Sequence, residues 1–136
     1  MKTNTSTLPW QAIAVIVISL LMIIRVTAVN RINDLGADEF FWLYPVTIDI
    51  LVAICAPFIA YSLWKRTGIG PWAFALVFHV VALQDATVGL LFEVMIPMSS
   101  RGTSVADVIS LTVIALLSAV AIGLLSQAAV RTRYTI

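Results

Sequence analysis

Four stretches of this chain are long and apolar enough to cross a lipid bilayer, and that limits the fold more than any other feature. A spanning helix needs roughly 20 mostly apolar residues, because it rises about 1.5 Å per residue through hydrocarbon about 30 Å thick. Residues 10–29, 40–64, 72–95 and about 104–128 meet this requirement. Between them lie ordinary stop and turn sequences: Asn30 to Gly36, Lys65 to Pro71, and Pro97 to Gly102. All three breaks are short, so neighbouring helices are expected to run antiparallel. The predicted fold is an all-α, four-helix, up-down transmembrane bundle, with residues 1–136 forming one transmembrane domain.

Composition agrees. The 136 residues are 61% hydrophobic and 11% charged, whereas a soluble domain carries about 25% charged residues. That leaves too few charges to cover a water-facing surface, and the mean hydropathy is +1.04. The net charge of +1 makes no electrostatic case for nucleic acid, which would need a basic face. The expected surroundings are the lipid bilayer of a cell membrane, crossed several times. Cys55 is the sole cysteine; it has no intramolecular disulfide partner and reads as a small hydrophobe. Lys2, the apolar residues 12–24 and Val26-Thr27-Ala28 imitate a signal peptide, but we read this segment as the first spanning helix.

Flanking charge sets the expected orientation. Lys2, Lys65, Arg66, Arg131 and Arg133 fall on one side, Arg31 and Arg101 on the other, with Arg25 just inside the membrane. This puts both termini in the cytoplasm. The first and third spans open alike, with Pro9-Trp10 and Pro71-Trp72. Proline suits a first helical turn and tryptophan the headgroup level, so convergent anchoring explains the likeness better than a duplication.

Ionisable residues are costly inside a bilayer, so their positions carry information. Asp49 lies about 13 Å below the outer start of the second span. It shares a face with Trp42, Pro45, Ala53, Ala56 and Ala60; small residues let helices approach closely, so Asp49 is expected to point into the bundle. Pro57, on the same span, is expected to kink it. On the third span His79, Ala82, Ala86, Gly89 and Glu93 fall within about 80°, with Asp85 about 40° beyond the edge of that arc. Gln84 projects from the opposite side. The fourth span has a weaker stripe, in which Asp107, Ser118 and Ala121 are joined by Leu111 and Ile114. Arg25 aligns with Gln11, Ala14 and Ile18. Alternating directions bring Arg25, Asp49 and Asp85 to nearly one level in the outer half. Glu93 falls at the outer rim near Arg31 and Arg101, and His79 is alone in the inner half.

These residues admit bland and chemical readings. Arg25, Asp49 and Asp85 are either a self-neutralising ion network that fixes helix register, or a site for a proton, cation or polar solute. Two carboxylates against one guanidinium leave a surplus that a proton or cation would fill. His79 reads as a hydrogen-bonded interior histidine or a titrating group; a metal site would need more His and Cys ligands than this chain has, and a haem would need a second axial ligand. Ser104-x-x-Asp107 has the form of a capping box, and Asp38 and Glu39 suit a helix N-terminus. Phe40, Phe41, Trp42 and Tyr44 form an aromatic belt, although Trp42, on the Asp49 face, could roof a pocket.

No phosphate loop, nucleophile motif, Cys/His cluster or mid-membrane lysine is present, so no residue is assigned as catalytic and no metal or cofactor is named. Three readings stay open. The first is an oligomeric transporter or channel-like protein using Asp49, Asp85, Arg25, His79 and Trp42, with Glu93 at the rim. The second is an accessory or anchor subunit of a larger membrane complex, the place where a His79 haem would belong. The third is a membrane enzyme or receptor for a lipophilic small molecule.

Overall fold

The structure, a computed structural model, describes residues 8–32, 37–97 and 103–135, and all regular structure among them is helical. Helix α1 (Trp10–Leu21) runs directly into a 3-10 segment (Met22–Ala28) and a short α2 (Val29–Ile32). A second 3-10 segment (Ala37–Trp42) leads into α3 (Leu43–Lys65), followed by α4 (Ile69–Met95), α5 (Val105–Leu125) and α6 (Ala128–Thr135). Four helical stretches are long and apolar enough to cross a membrane: Trp10–Ala28, Phe40–Lys65, Ile69–Met95 and Val105–Leu125. The expected partners of Glu93, Arg101 and the side chain of Arg31, lie outside the described residues, as do Lys2 and the side chains of Asp38 and Glu39.

The long helices pack as a ring in the order α1, α3, α4, α5, with α4 and α5 in the most extensive contact. Helix α1 therefore stands opposite α4, and α3 opposite α5. Alanines make this approach possible. Ala53, Ala56 and Ala60 of α3, Ala75, Ala82 and Ala86 of α4, and Ala121 of α5 are all buried. Small side chains bring backbones close enough for dispersion contacts, the main attraction between helices where lipid tails are as apolar as leucine. At Gly89 a Cβ would stand 3.3 Å from Leu111 Cδ2, a measure of how tightly α4 meets α5.

The ends of the ring are fastened by polar contacts. At one end the Trp72 indole N–H donates to the Leu125 carbonyl at 2.8 Å. At the other, Glu93 Oε1 accepts the Ser104 N–H at 2.7 Å, and Trp42 donates to the Ile96 carbonyl at 3.2 Å. The start of α4 thus lies beside the end of α5, and the end of α4 beside the start of α5.

Two departures from the sequence expectation have physical causes. The first span is not one α-helix, for it tightens to 3-10 at Met22. Ile23, Ile24, Val26 and Thr27 are β-branched and lose side-chain freedom in an α-helix. In a 3-10 helix residues three apart eclipse, so Met22, Arg25 and Ala28 form one edge, and all three are buried. On an α-helix the same three would fan by about 60° per step.

The fourth helix also stops early, at Leu125. After Ser126 and Gln127, α6 turns across the Trp72 end of the bundle, with Val130 and Tyr134 fully buried. The Tyr134 hydroxyl donates to the Leu63 carbonyl at 2.6 Å, one of the last carbonyls of α3, which have no partner within their own helix. Burial raises the Tyr134 phenol above its ordinary value, so the hydroxyl keeps the proton it donates.

Tyr134→Phe should leave the Leu63 carbonyl buried and unsatisfied, at a cost of about 1–3 kcal/mol. Equilibrium unfolding in mixed micelles should show this loss, whereas substitution of exposed Thr132 should change stability little.

Candidate functional site

The 3-10 edge aims Arg25 across the bundle. Its Nε bonds Asp49 Oδ1 of α3 and one terminal nitrogen bonds Asp85 Oδ2 of α4. The other terminal nitrogen approaches the Ala82 carbonyl at 3.5 Å. The Arg25 side chain is 0% exposed, Asp85 3% and Asp49 18%. A guanidinium suits this position because its planar fork offers several donors in fixed directions. Ala82, which is fully buried, leaves room for it. Two carboxylates meet one guanidinium, so the formal charge of the cluster is negative by one. Asp85 Oδ1 has no hydrogen-bond partner among the described residues.

A second buried polar pair lies further along α1 and α4. His79 is 0% exposed and its Nε2 stands 3.1 Å from Ser19 Oγ. The Ser19 hydroxyl donates to the Val15 carbonyl at 2.8 Å. A hydroxyl has one proton, so with that bond in place Ser19 can only accept from His79. Nε2 therefore carries the imidazole hydrogen, and Nδ1 is a lone pair without a partner among the described residues. Ser118 Oγ, on α5, is likewise buried and without a partner among them.

Glu93 is 1% exposed. It takes the Ser104 N–H, while the Ser104 side chain accepts from the Asp107 N–H at 3.3 Å. The capping serine is thus in place, and a glutamate from α4 supplies the acceptor for the cap's own N–H, where the helix dipole favours negative charge. Trp42 is buried against Phe92, their ring centroids 5.7 Å apart, and its indole ties the start of α3 to the end of α4. Gln84 is exposed. No group of three or more His, Cys, Asp or Glu residues is placed to hold a metal among the described residues.

Of the residues the sequence marks out, the structure brings Arg25, Asp49 and Asp85 into contact. It seats His79 on Ser19 and places Trp42 in the aromatic contact with Phe92. Sequence reasoning passed over Ser19, whose only signal was a hydroxyl mid-span between Val15 and Met22. It also had no sign of a cavity of about 530 Å³ between the 3-10 segment and the first half of α5. Arg25 and Asp49 lie at the base of this cavity, and Leu21, Ile24, Ile114, Leu117 and Asp107 line it. Trp42 does not line it.

No family model, no curated protein and no solved structure matches this chain.

Removing the guanidinium would leave two carboxylates without their counter-charge. Arg25→Met should therefore cost about 3–5 kcal/mol. Adding Asp49→Leu and Asp85→Leu to it should recover most of that loss. Thermal unfolding of the single and triple variants in one detergent checks both expectations; a stable single variant would show that the guanidinium does not hold the helices.

Proposed function

We propose that the chain is a multi-pass protein of the cell membrane that binds a proton, cation or small polar solute at Arg25, Asp49 and Asp85 and passes it across the bilayer. In this reading the bundle is up-down with both termini in the cytoplasm. Lys65 and Arg66 follow α3, and Arg131 and Arg133 sit on α6 near the same end, in keeping with the excess of positive charge on cytoplasmic flanks. Lys65 lies 4.3 Å from the Trp64 ring centroid, a pairing suited to the headgroup region.

The observation that supports transport most directly is the charge ratio at Arg25. A purely structural pair needs one carboxylate per guanidinium, and a second buried carboxylate adds a desolvation cost of several kcal/mol. Asp85, buried beside Asp49 on the same guanidinium, is that second carboxylate. A proton or a cationic group neutralises it, and exchange of one for the other gives the cluster a transport cycle. Four helices around a plugged centre are few to enclose a path, so the working unit is a homo-oligomer. Helix α5, with 17% of its most apolar window buried, has surface to offer a second copy.

Reconstituted vesicles test this reading. With an imposed pH or cation gradient, the wild type should carry flux that Asp49→Asn and Asp85→Asn each reduce to the level of empty vesicles, while elution volume and thermal stability stay near those of the wild type. Flux indifferent to both substitutions would overturn it. Absence of flux, with the same substitutions releasing a co-purifying membrane partner, would favour the anchor-subunit reading.

A further inference from the structure

Three atoms in the middle of the interior are buried and have no hydrogen-bond partner among the described residues: Asp85 Oδ1, His79 Nδ1 and Ser118 Oγ. Asp85 and His79 both belong to α4 and stand about 9 Å apart along its axis. Ser118 belongs to α5, and the antiparallel packing of that pair sets its level. Counted from the Glu93–Ser104 and Trp72–Leu125 bonds, Ser118 lies opposite His79. Counted from the Gly89–Leu111 contact, it lies opposite Ala82, one turn nearer Asp85. Ser118, His79 and Ala82 are each 0% exposed.

Two of these side chains are held through their other polar atom. Asp85 Oδ2 is bonded to Arg25, and the His79 Nε2–H donates to Ser19. Each is fixed in place with one acceptor left open. Buried polar atoms are nearly always hydrogen-bonded, so three open ones at neighbouring levels call for an occupant. Their chemistry selects it. Hard cations take several oxygen ligands, and the metals that imidazole suits need more than one ring. No group of three or more His, Cys, Asp or Glu residues is placed to hold a metal among the described residues. A proton needs one lone pair and no cavity. A serine hydroxyl accepts on its oxygen and donates its own hydrogen, so it can pass a proton on.

We infer that the solute of the Arg25 site is a proton, and that it moves from Asp85 by way of Ser118 to His79. The inference rests on the reading that Arg25, Asp49 and Asp85 bind a solute in transit, and it supplies the solute and the next residues on its route. The O–H bond of protonated Asp85 breaks at Oδ1 and the proton passes to water. Water gives a proton to Ser118 Oγ as the hydrogen of Ser118 leaves, again through water, for His79 Nδ1. Asp85 is left as a carboxylate on Arg25, His79 becomes an imidazolium, and no electrons are transferred. Asp85 faces Arg25 and Asp49. His79 faces Ser19 of α1, and the buried α3 residues around its level, Val52, Ala53 and Ala56, do not titrate. Helix α6 brings Tyr134 and Arg133 to the Trp72 end.

His79 is the only histidine, so nitrogen-15 histidine labelling in phosphatidylcholine nanodiscs gives one ring to follow by NMR. At alkaline pH the ring should carry its hydrogen on Nε2, and acidification should add a proton at Nδ1. In vesicles with an imposed pH gradient, His79→Gln should reduce proton flux to the level of empty vesicles and Ser118→Ala should lower it. Glutamine keeps an N–H for Ser19, so elution volume and thermal stability should stay near those of the wild type. A ring hydrogen on Nδ1 at alkaline pH would overturn the inference. Proton flux that Asp85→Asn abolishes but His79→Gln and Ser118→Ala leave unchanged would overturn the route and leave the Arg25 site standing. Flux of sodium or potassium without proton movement would overturn the proton as solute and leave that site standing as well. Absence of any flux in the wild type would remove the transport reading itself, and the route with it.

Discussion

The guanidinium of Arg25 is the group around which the three-helix side of this bundle is organised. Taking such a cation out of water costs several kcal/mol even after relaxation, and Arg25 is fully enclosed. It is held there because Asp49 comes to it from α3 and Asp85 from α4, with the Ala82 carbonyl close by. Each partner fixes one degree of freedom. Asp49 sets how far α3 slides along the first helix, Asp85 does the same for α4, and the 3-10 edge sets the rotation of Arg25 itself. Between apolar helices in lipid the hydrophobic effect does not choose a register. A directed polar contact does, because every other register leaves charge unpaired.

Polar layers repeat along the interior and give it a definite order. Trp72 with Leu125 and Tyr134 with Leu63 close one end, Ser19 with His79 follows, the Arg25 cluster comes next, and Glu93 with Ser104 closes the other end. Helix α4 contributes to almost every layer, which explains why it combines ionisable residues with alanines at the contact. His79 Nδ1, Asp85 Oδ1 and Glu93 Oε2, all on α4, have unused hydrogen-bonding capacity among the described residues. In a low-dielectric interior each such atom costs about 1–3 kcal/mol. A helix selected for packing alone would carry apolar residues at these three places.

The four spans were legible in the sequence because length and apolarity are additive along a chain and need no knowledge of neighbours. The faces of α3 and α4 were legible for a related reason. Both are α-helical throughout, so a fixed 100° step correctly grouped Pro45 with Ala53, Ala56 and Ala60, and His79 with Ala82, Ala86 and Gly89, all of them buried. The same step served Arg25 less well. It aligned Arg25 with buried Ile18 but also with half-buried Gln11 and Ala14, whereas the buried residues of the first span are Ala12, Val15, Ile18, Ser19, Met22, Arg25 and Ala28. The change to 3-10 at Met22 alters the angular step, and no single residue announces it. The bond from the Ser104 N–H to Glu93 was not legible, because side-chain charge is visible in a sequence and a backbone N–H is not. The fold-back of Tyr134 carried no periodic signal, since α6 is short and mixed in polarity.

A cavity is harder still to read, because it belongs to the space between two helices and to neither of them. What makes this one distinctive is the residue it shares with the ion cluster. A carboxylate kept only to neutralise Arg25 is best placed in a one-to-one pair, fully enclosed, where low dielectric strengthens the attraction and packing excludes water. The Asp49 site departs from that optimum in three ways. The guanidinium is already bonded to Asp85, the Asp49 side chain is 18% exposed, and Asp49 lines the cavity between the 3-10 segment and α5. Each departure weakens the pair as a structural tie. All three together set Asp49 apart from a carboxylate placed only to tie two helices.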